Sequence, residues 1–389
     1  MRVNKYSTQF IDKNDINLVK DTLSKEFLTQ GSINKKFEQS LSKYTKSNYS
    51  ITLNSATSAL HVACLSLGLS KDDILWTSVN SFVASSNSAL YCGAKVDFID
   101  IDLDTFNISI KFLENKLAKA KINNCLPKII TVVHLGGNPC NMELIKILSR
   151  KYKFKIIEDA SHALGAKYLD SNVGSCKYSD VTIFSYYPVK MITTGEGGSL
   201  HTNDKKIFEK ANLYRSHGIV RDVKSPITKK IERWYYEQTY LGFNYRMSDI
   251  NAALGYSQLK KLNKFVKKRN ELAKAYNKFL MKNKFVKTQK IENGNKCSFH
   301  LFIILIKNNT RIDNFDLINF LDKFNIKSQL HYLPIHLQPY YKKFGFKKGD
   351  FKNAELYSKK ALSIPLHFTM TNSDVEFVSR KINQYFVIK

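Results

Sequence analysis

Asp159 and Lys190 are the residues whose type and setting suit covalent chemistry. Asp159 closes the apolar run Lys155-Ile156-Ile157-Glu158-Asp159 and is followed by Ala160-Ser161-His162. Lys190 comes five residues after Ser185, the end of a second apolar run from Val181, and lies in Tyr186-Tyr187-Pro188-Val189-Lys190-Met191-Ile192-Thr193-Thr194-Gly195-Glu196-Gly197-Gly198. A lysine just past a strand end, among Pro and Gly, can sit in a partly dry pocket. Desolvation there disfavours the ammonium form and leaves the amine nucleophilic.

An aldehyde cofactor gives this pairing a specific sense. A Schiff base with pyridoxal 5'-phosphate needs an amine to form it and a carboxylate to keep the pyridine nitrogen protonated, which makes the ring an electron sink. Lys190 suits the first task and Asp159 the second. The phosphate needs a cradle, and Asn54-Ser55-Ala56-Thr57-Ser58 opens a helix whose free N–H groups favour an anion. Ser185 can add a hydroxyl. Each piece alone also has a plain structural reading: a strand-end carboxylate, a solvated lysine, a helix N-cap and a hydrogen-bonded core histidine at His162. Their occurrence together in this order carries the argument.

The elements that must hold these groups alternate. Helical spacing over Lys13 to Lys25 and Ser55 to Leu67 precedes short apolar runs at Val96–Ile101, Ile129–His134, Lys155–Asp159 and Val181–Tyr186, with helices at Met142–Lys151 and Lys205–Tyr214 between them. This pattern predicts an α/β sheet with helices on both faces and ligands at the carboxyl ends of the strands. From about Asp249 the texture changes to a Lys-rich helix, Ile250 to Lys282. A strand at His300–Ile306, a helix near Phe315–Phe324, a strand around Lys327–His331 and a terminal helix follow. The expected division is a large cofactor-binding domain over 1–250 and a smaller C-terminal α/β domain over 251–389.

Composition narrows the class. The 389 residues are 43% hydrophobic and 24% charged, ordinary globular proportions that exclude a disordered polymer. The net charge of +28, from 61 Lys and Arg against 33 Asp and Glu, suits phosphorylated ligands. The lysines are spread along the chain rather than clustered, which describes a solvated surface and not a nucleic-acid footprint. Six cysteines without paired C-x-x-C spacing argue against zinc and against a disulfide framework. With no signal-peptide core and no membrane-length apolar run, the expected location is cytoplasmic.

The ordered motifs resemble those of the DegT/DnrJ/EryC1/StrS sugar aminotransferases. They are Leu28-Thr29-Gln30-Gly31, Asn54-Ser55-Ala56-Thr57-Ser58-Ala59-Leu60, Ser81-Phe82-Val83-Ala84, Asp159-Ala160-Ser161-His162-Ala163-Leu164-Gly165, the Lys190 loop, Gly242-Phe243-Asn244-Tyr245-Arg246 and His331-Tyr332-Leu333-Pro334. The resemblance implies the fold-type I pyridoxal-phosphate architecture, with a mostly parallel seven-stranded sheet in the large domain. It also implies roles. Lys190 would carry the cofactor and shuttle the proton, Asp159 would bind the pyridine nitrogen, His162 the phenolic oxygen, and Phe82 would stack on the ring. Ala56, Thr57 and Ser185 would hold the phosphate, joined by Asn244 from a second subunit, so that a homodimer shares its active sites. Arg246 is read either as a partner for an acidic substrate group or as part of a structural ion pair.

Finer features are similar to the family branch of pseudaminic acid synthesis: Gly136 to Met142, Arg215-Ser216-His217-Gly218-Ile219, Trp234 to Gln238 and His336 to Tyr341. Asn138, Asn141 and Met191 stand where that pattern more often has Gln, Asp and Pro. The resemblance implies transfer from L-glutamate to the 4-keto carbon of a UDP-linked 2-acetamido-2,6-dideoxy-hexulose. Tyr6, Glu26, Phe27, Leu28, Thr29, Gln329, Leu330, His331 and Tyr332 would contact the sugar nucleotide. The weighed alternatives are another sugar, nucleotide or ring position, a related cofactor-dependent sugar dehydratase, against which Lys190 argues because that type has histidine in its place, and a non-catalytic basic nucleic-acid-binding scaffold.

Overall fold

The computed structural model describes residues 5–25, 27–221, 223–307 and 312–388. A seven-stranded sheet forms its centre, built from β1 (Tyr49–Leu53), β2 (Ile74–Ser78), β3 (Lys95–Ile99), β4 (Ile129–Val133), β5 (Lys155–Asp159), β8 (Val181–Ser185) and β9 (Gly198–Thr202). The order is β1-β9-β8-β5-β4-β2-β3, and β9 alone runs antiparallel to its neighbours. The mostly parallel seven-stranded sheet that the resemblance implies is therefore present, within the α/β arrangement that the alternating pattern predicts. Two short hairpins lie outside it: β6 (Lys167–Tyr168) with β7 (Ser171–Asn172), and β10 (Ile219–Val220) with β11 (Glu237–Gln238).

Both faces of the sheet are covered, as buried parallel strands require. Alternate residues of β5 show the two environments. Ile157 packs with α3 (Ala56–Ser66), α4 (Ala84–Tyr91) and α7 (Lys205–Arg215), whereas Ile156 packs with α5 (Ile110–Ile122) and α6 (Met142–Tyr152). Side chains alternate along a strand, so Asp159 faces the α3 side and Glu158 the opposite one. Glu158 is buried there against His134, with Nε2 to Oε2 at 2.8 Å.

A second sheet of β12 (Val286–Thr288), β13 (Phe302–Ile306) and β14 (Ala361–Ile364) packs with α9 (Leu262–Leu280), α10 (Asn314–Asp322) and the terminal helix Asn372–Ile388 around its own core, which includes Tyr276, Phe302, Leu321 and Ile382.

Two expectations change. The helix read over Ile250–Lys282 is broken into α8 (Asp249–Leu259) and α9, with Lys260 and Lys261 between them. No Gly or Pro causes this. Lys261 is held by Asp12 at 2.9 Å and Asp15 at 2.5 Å, at the start of α1 (Lys13–Leu23), so tertiary ion pairing fixes the bend. The strand expected at Lys327–His331 is reduced to one bridge, Gln329 with Ser363 of β14. Beyond it the chain leaves the sheet, because the Tyr332 N–H donates to Asn80 Oδ1 and the His331 carbonyl accepts from Tyr357 Oη. Cys64, Cys140, Cys176 and Cys297 are buried, and all six cysteines are free.

Candidate active site

A cavity of about 610 Å3 opens at the carboxyl ends of β5 and β8. It is lined by Asp159, His162, Ser185 and Lys190, by Ala56 and Thr57 at the start of α3, by Phe82, and by Tyr6, Gln329, Leu330, His331 and Tyr332 from the side of the second sheet. Residues far apart in sequence thus meet because β5 and β8 are hydrogen-bonded neighbours, with Asp159 opposite Ile183.

Asp159 is 5% exposed and both its oxygens are held. Oδ2 accepts from Ser85 Oγ at 2.6 Å, and Oδ1 accepts from Ser161 Oγ at 2.6 Å and from the Ser161 N–H at 3.2 Å. A carboxylate fixed this way keeps its orientation inside the cavity. Burial pushes the Lys190 amine down to about 8, against the opposing pull of the Asp159 charge. A much larger share of that amine is free near neutrality than in a solvated lysine.

The surrounding imidazoles are neutral. Burial, with Lys190 and His331 nearby, holds His162 well below the ordinary histidine range; His331 is pushed down to about 3, and burial lowers His300 strongly as well. The Gly136 N–H donates to His162 Nδ1 at 3.3 Å, so the ring hydrogen resides on Nε2, which lies 3.2 Å from Tyr332 Oη.

Ser55, also lining the cavity, caps α3 by accepting from the Ser58 N–H at 3.0 Å, and Ala56 and Thr57 carry orphan N–H groups of the helix start. β9 passes so close to this turn that a Cβ on Gly198 would lie 2.5 Å from the Ala56 nitrogen. Only glycine fits, and the helix terminus is locked to the sheet.

These residues fit pyridoxal phosphate: a desolvated amine, a rigid buried carboxylate, a neutral imidazole and an anion cradle at a helix start all line one cavity. The cavity volume is within the range of small-molecule sites.

Not every expected residue reaches the cavity. Asn244 is exposed, pairs with Ser216 and does not line it. Phe27, Leu28 and Thr29 are exposed and also lie outside it; Thr29 pairs with Ser248, and the Leu28 carbonyl accepts from the Asp249 N–H at 2.8 Å. Glu26 lies outside the described residues. Arg246 donates from Nη1 to Ser216 Oγ at 3.0 Å, and among the described residues it makes no ion pair. Conversely, Ser85, Ser161, Tyr187, Glu196 and His300 belong to the site or support it, although sequence reasoning gave them no role. Ser161 had a signal, its place in Asp159-Ala160-Ser161-His162. Ser85 and His300 had none.

Residues 9–383 match the model of the DegT/DnrJ/EryC1/StrS aminotransferase family. The chain is 41% identical over 375 residues, 96% of this chain and 95% of the relative, to the UDP-4-amino-4,6-dideoxy-N-acetyl-beta-L-altrosamine transaminase of Campylobacter jejuni. Among solved structures it resembles the Helicobacter pylori aminotransferase PseC, involved in pseudaminic acid biosynthesis, with a TM-score of 0.89, 30% identity and 99% of each chain covered. It also resembles a sugar aminotransferase of Streptococcus pneumoniae in its pyridoxal-phosphate form, with a TM-score of 0.88, 25% identity and 99% of each chain covered. The fold is therefore that of the fold-type I enzymes, and the cofactor is pyridoxal phosphate. The chain belongs to the DegT/DnrJ/EryC1/StrS aminotransferase family.

Proposed function

We propose that the chain transfers an amino group from L-glutamate to the 4-keto carbon of UDP-2-acetamido-2,6-dideoxy-β-L-arabino-hex-4-ulose, giving UDP-4-amino-4,6-dideoxy-N-acetyl-β-L-altrosamine for pseudaminic acid biosynthesis. The observation that carries the aminotransferase chemistry is the desolvated Lys190 amine sharing one cavity with the fixed Asp159 carboxylate. The 41% identity to an enzyme of that name supports the sugar.

Bound pyridoxal phosphate supplies an electron-withdrawing ring that can take up an amino group and pass it on. Lys190 would hold the cofactor through its amine, and the same amine would serve as the acid and base that moves protons during the transfer. Asp159, oriented by Ser85 and Ser161, keeps the pyridine nitrogen protonated. Ala56, Thr57 and Ser185 bind the phosphate at a helix start, where backbone donors and dipole both favour it. Phe82 would stack on the ring, and His162 would bind the phenolic oxygen. Tyr6 and the segment from Gln329 to Tyr332 contact the sugar nucleotide.

Asn244 would serve a second copy of the chain, completing its phosphate site. Thr29 pairs with Ser248 close to that segment, so the Phe27–Thr29 stretch would project toward the same neighbour. The chain divides near residue 250 into a cofactor-binding part and a smaller part that closes the cavity. No helix among the described residues is long and apolar enough to cross a membrane, which is compatible with a cytoplasmic enzyme using soluble substrates.

The test is to incubate the purified holoenzyme with glutamate and the UDP-linked 4-keto sugar and to determine the product's structure by NMR. An amine at carbon 4 with the altro configuration supports the proposal. Turnover of a GDP- or dTDP-linked sugar, or amination at carbon 3, in place of this reaction would replace the substrate assignment.

A further inference from the structure

Two cysteines that lie far apart in the sequence meet between α3 and α4. Cys64, in the last turn of α3, is fully buried in the apolar cluster that includes Leu60, Ala63 and Ala89; Cys92, directly after α4, is half-buried against the same cluster. The two thiols are hydrogen-bond partners, and Cys92 also bonds to the ring of His61, one turn before Cys64 on α3. His61 is held from its other side. Its Nδ1 lies 3.3 Å from Tyr245 Oη, and its ring packs on Tyr91 at 5.5 Å and on Phe243 at 4.9 Å between centroids.

The two sulfurs differ in character. Hydrogen bonding to Cys64 and to His61 pushes the Cys92 thiol down to about 6 against the cost of its burial, so at neutral pH it is mostly thiolate. The same thiol contact, with complete burial, pushes Cys64 up, and it keeps its proton. A thiolate with part of its surface in solvent, beside a protonated thiol, suits attack on a peroxide followed by closure of a disulfide. Neither cysteine lines the cavity, and transamination makes no use of them.

We propose that Cys92 is a site of oxidation by hydroperoxides and that Cys64 resolves it, giving a reversible disulfide between α3 and α4. In the first step the Cys92 sulfur attacks a peroxide oxygen; the S–O bond forms, the O–O bond breaks and hydroxide leaves. In the second the Cys64 sulfur attacks the Cys92 sulfur; the S–S bond forms, the S–O bond breaks, and the departing hydroxide takes the Cys64 proton as water. The two sulfurs supply the two electrons that reduce the peroxide. The new bond joins the two helices that bear on the cofactor, since α3 begins at Ala56 and Thr57 and α4 carries Ser85. The proposal stands whichever sugar is aminated.

The test uses the holoenzyme, reduced and then freed of reductant. It is treated with hydrogen peroxide, quenched with N-ethylmaleimide in denaturant and mapped by mass spectrometry without reduction. The expected product is a Cys64–Cys92 peptide pair, with the loss of two alkylatable thiols per chain and their return on adding dithiothreitol. Cys125, which is exposed, is the internal control. The larger thiolate fraction of Cys92 outweighs its lower intrinsic nucleophilicity by a small factor, so Cys92 should oxidise about three times faster than Cys125. In C64A the reaction should stop at a sulfenic acid on Cys92, which dimedone traps. C64V replaces C64A if the latter does not fold. Oxidation of Cys125 ahead of Cys92, or wild-type Cys92 oxidised while Cys64 is still alkylated in the quench, would overturn the proposal.

Discussion

Lys190, in the loop after β8, and Asp159, at the end of the neighbouring strand β5, line one cavity, the lysine amine lowered by burial to about 8 while the carboxylate opposes that shift. The arrangement keeps an amine both nucleophilic and within the field of an anion. That combination is costly in the empty protein, and its cost is measurable.

In the cofactor-free protein, replacing Lys190 by Met should stabilise the fold at pH 7. The folded-state value of about 8 lies below the ordinary lysine value of 10.5, so at neutral pH the native state must bury an ammonium group or release its proton. The unfolded chain binds more protons than the native one between these two values, and wild-type stability therefore rises with pH across that window. The advantage of K190M, on the order of 3 kcal/mol at pH 7, should shrink as pH approaches 10. Urea unfolding at pH 7 and pH 9.5 checks it; a K190M protein less stable at both values would contradict the burial argument.

Ser85→Ala should lower kcat about tenfold with little change in stability. The serine hydroxyl is bonded at 2.6 Å to Asp159 Oδ2, and losing one bond to a charged group costs roughly 1.5 kcal/mol of the orientation that catalysis uses. Asp159→Asn should be far more damaging, because an amide cannot hold the pyridine nitrogen protonated. Steady-state kinetics with glutamate decides both. Equal effects of S85A and D159N would indicate that the serine does more than orient.

Gly198→Ala tests the phosphate cradle from behind. Its Cβ would come within 2.5 Å of the Ala56 nitrogen, so either β9 or the start of α3 must move. The expected result is a stability loss of about 1 to 3 kcal/mol and cofactor affinity at least tenfold weaker. Unchanged affinity for pyridoxal phosphate in equilibrium dialysis would mean that the helix start does not hold the phosphate.

If Asn244 completes the site of a second copy, two inactive variants should rescue one another. Lys190→Ala and Asn244→Ala, mixed and allowed to exchange subunits, would form hybrids with one intact site, and activity should recover to as much as a quarter of the wild-type level at equal mixing. No recovery under conditions where exchange is demonstrated by mass would place Asn244 outside the site.

The legible parts of this architecture are those in which short-range pattern and burial coincide. β5 and β8 are apolar runs punctuated by Gly, Pro and Asp, and their ends mark Asp159 and Lys190. β9 was not legible, since Gly198-Ser199-Leu200-His201-Thr202 has neither an apolar run nor charge alternation. Its buried polar side chains depend on tertiary partners, Tyr186 Oη on Ser199 at 2.6 Å and Ser50 Oγ on His201 at 2.8 Å, besides the Ser199–His201 contact within the strand. The bend between α8 and α9 depends on Lys261 meeting Asp12 and Asp15, which local spacing does not encode. His300 reaches the site only because the second sheet packs against the first, its ring 4.5 Å from that of His162. The Glu26 contact falls outside the described residues.

The most direct measurement of the central claim is borohydride reduction of the protein loaded with pyridoxal phosphate, followed by peptide mapping. The account predicts the pyridoxyl group on Lys190, with a single modified lysine per chain, and its loss in Lys190→Ala. A pyridoxyl group on another lysine, or a scatter over many of the surface lysines with Lys190 unmodified, would contradict it.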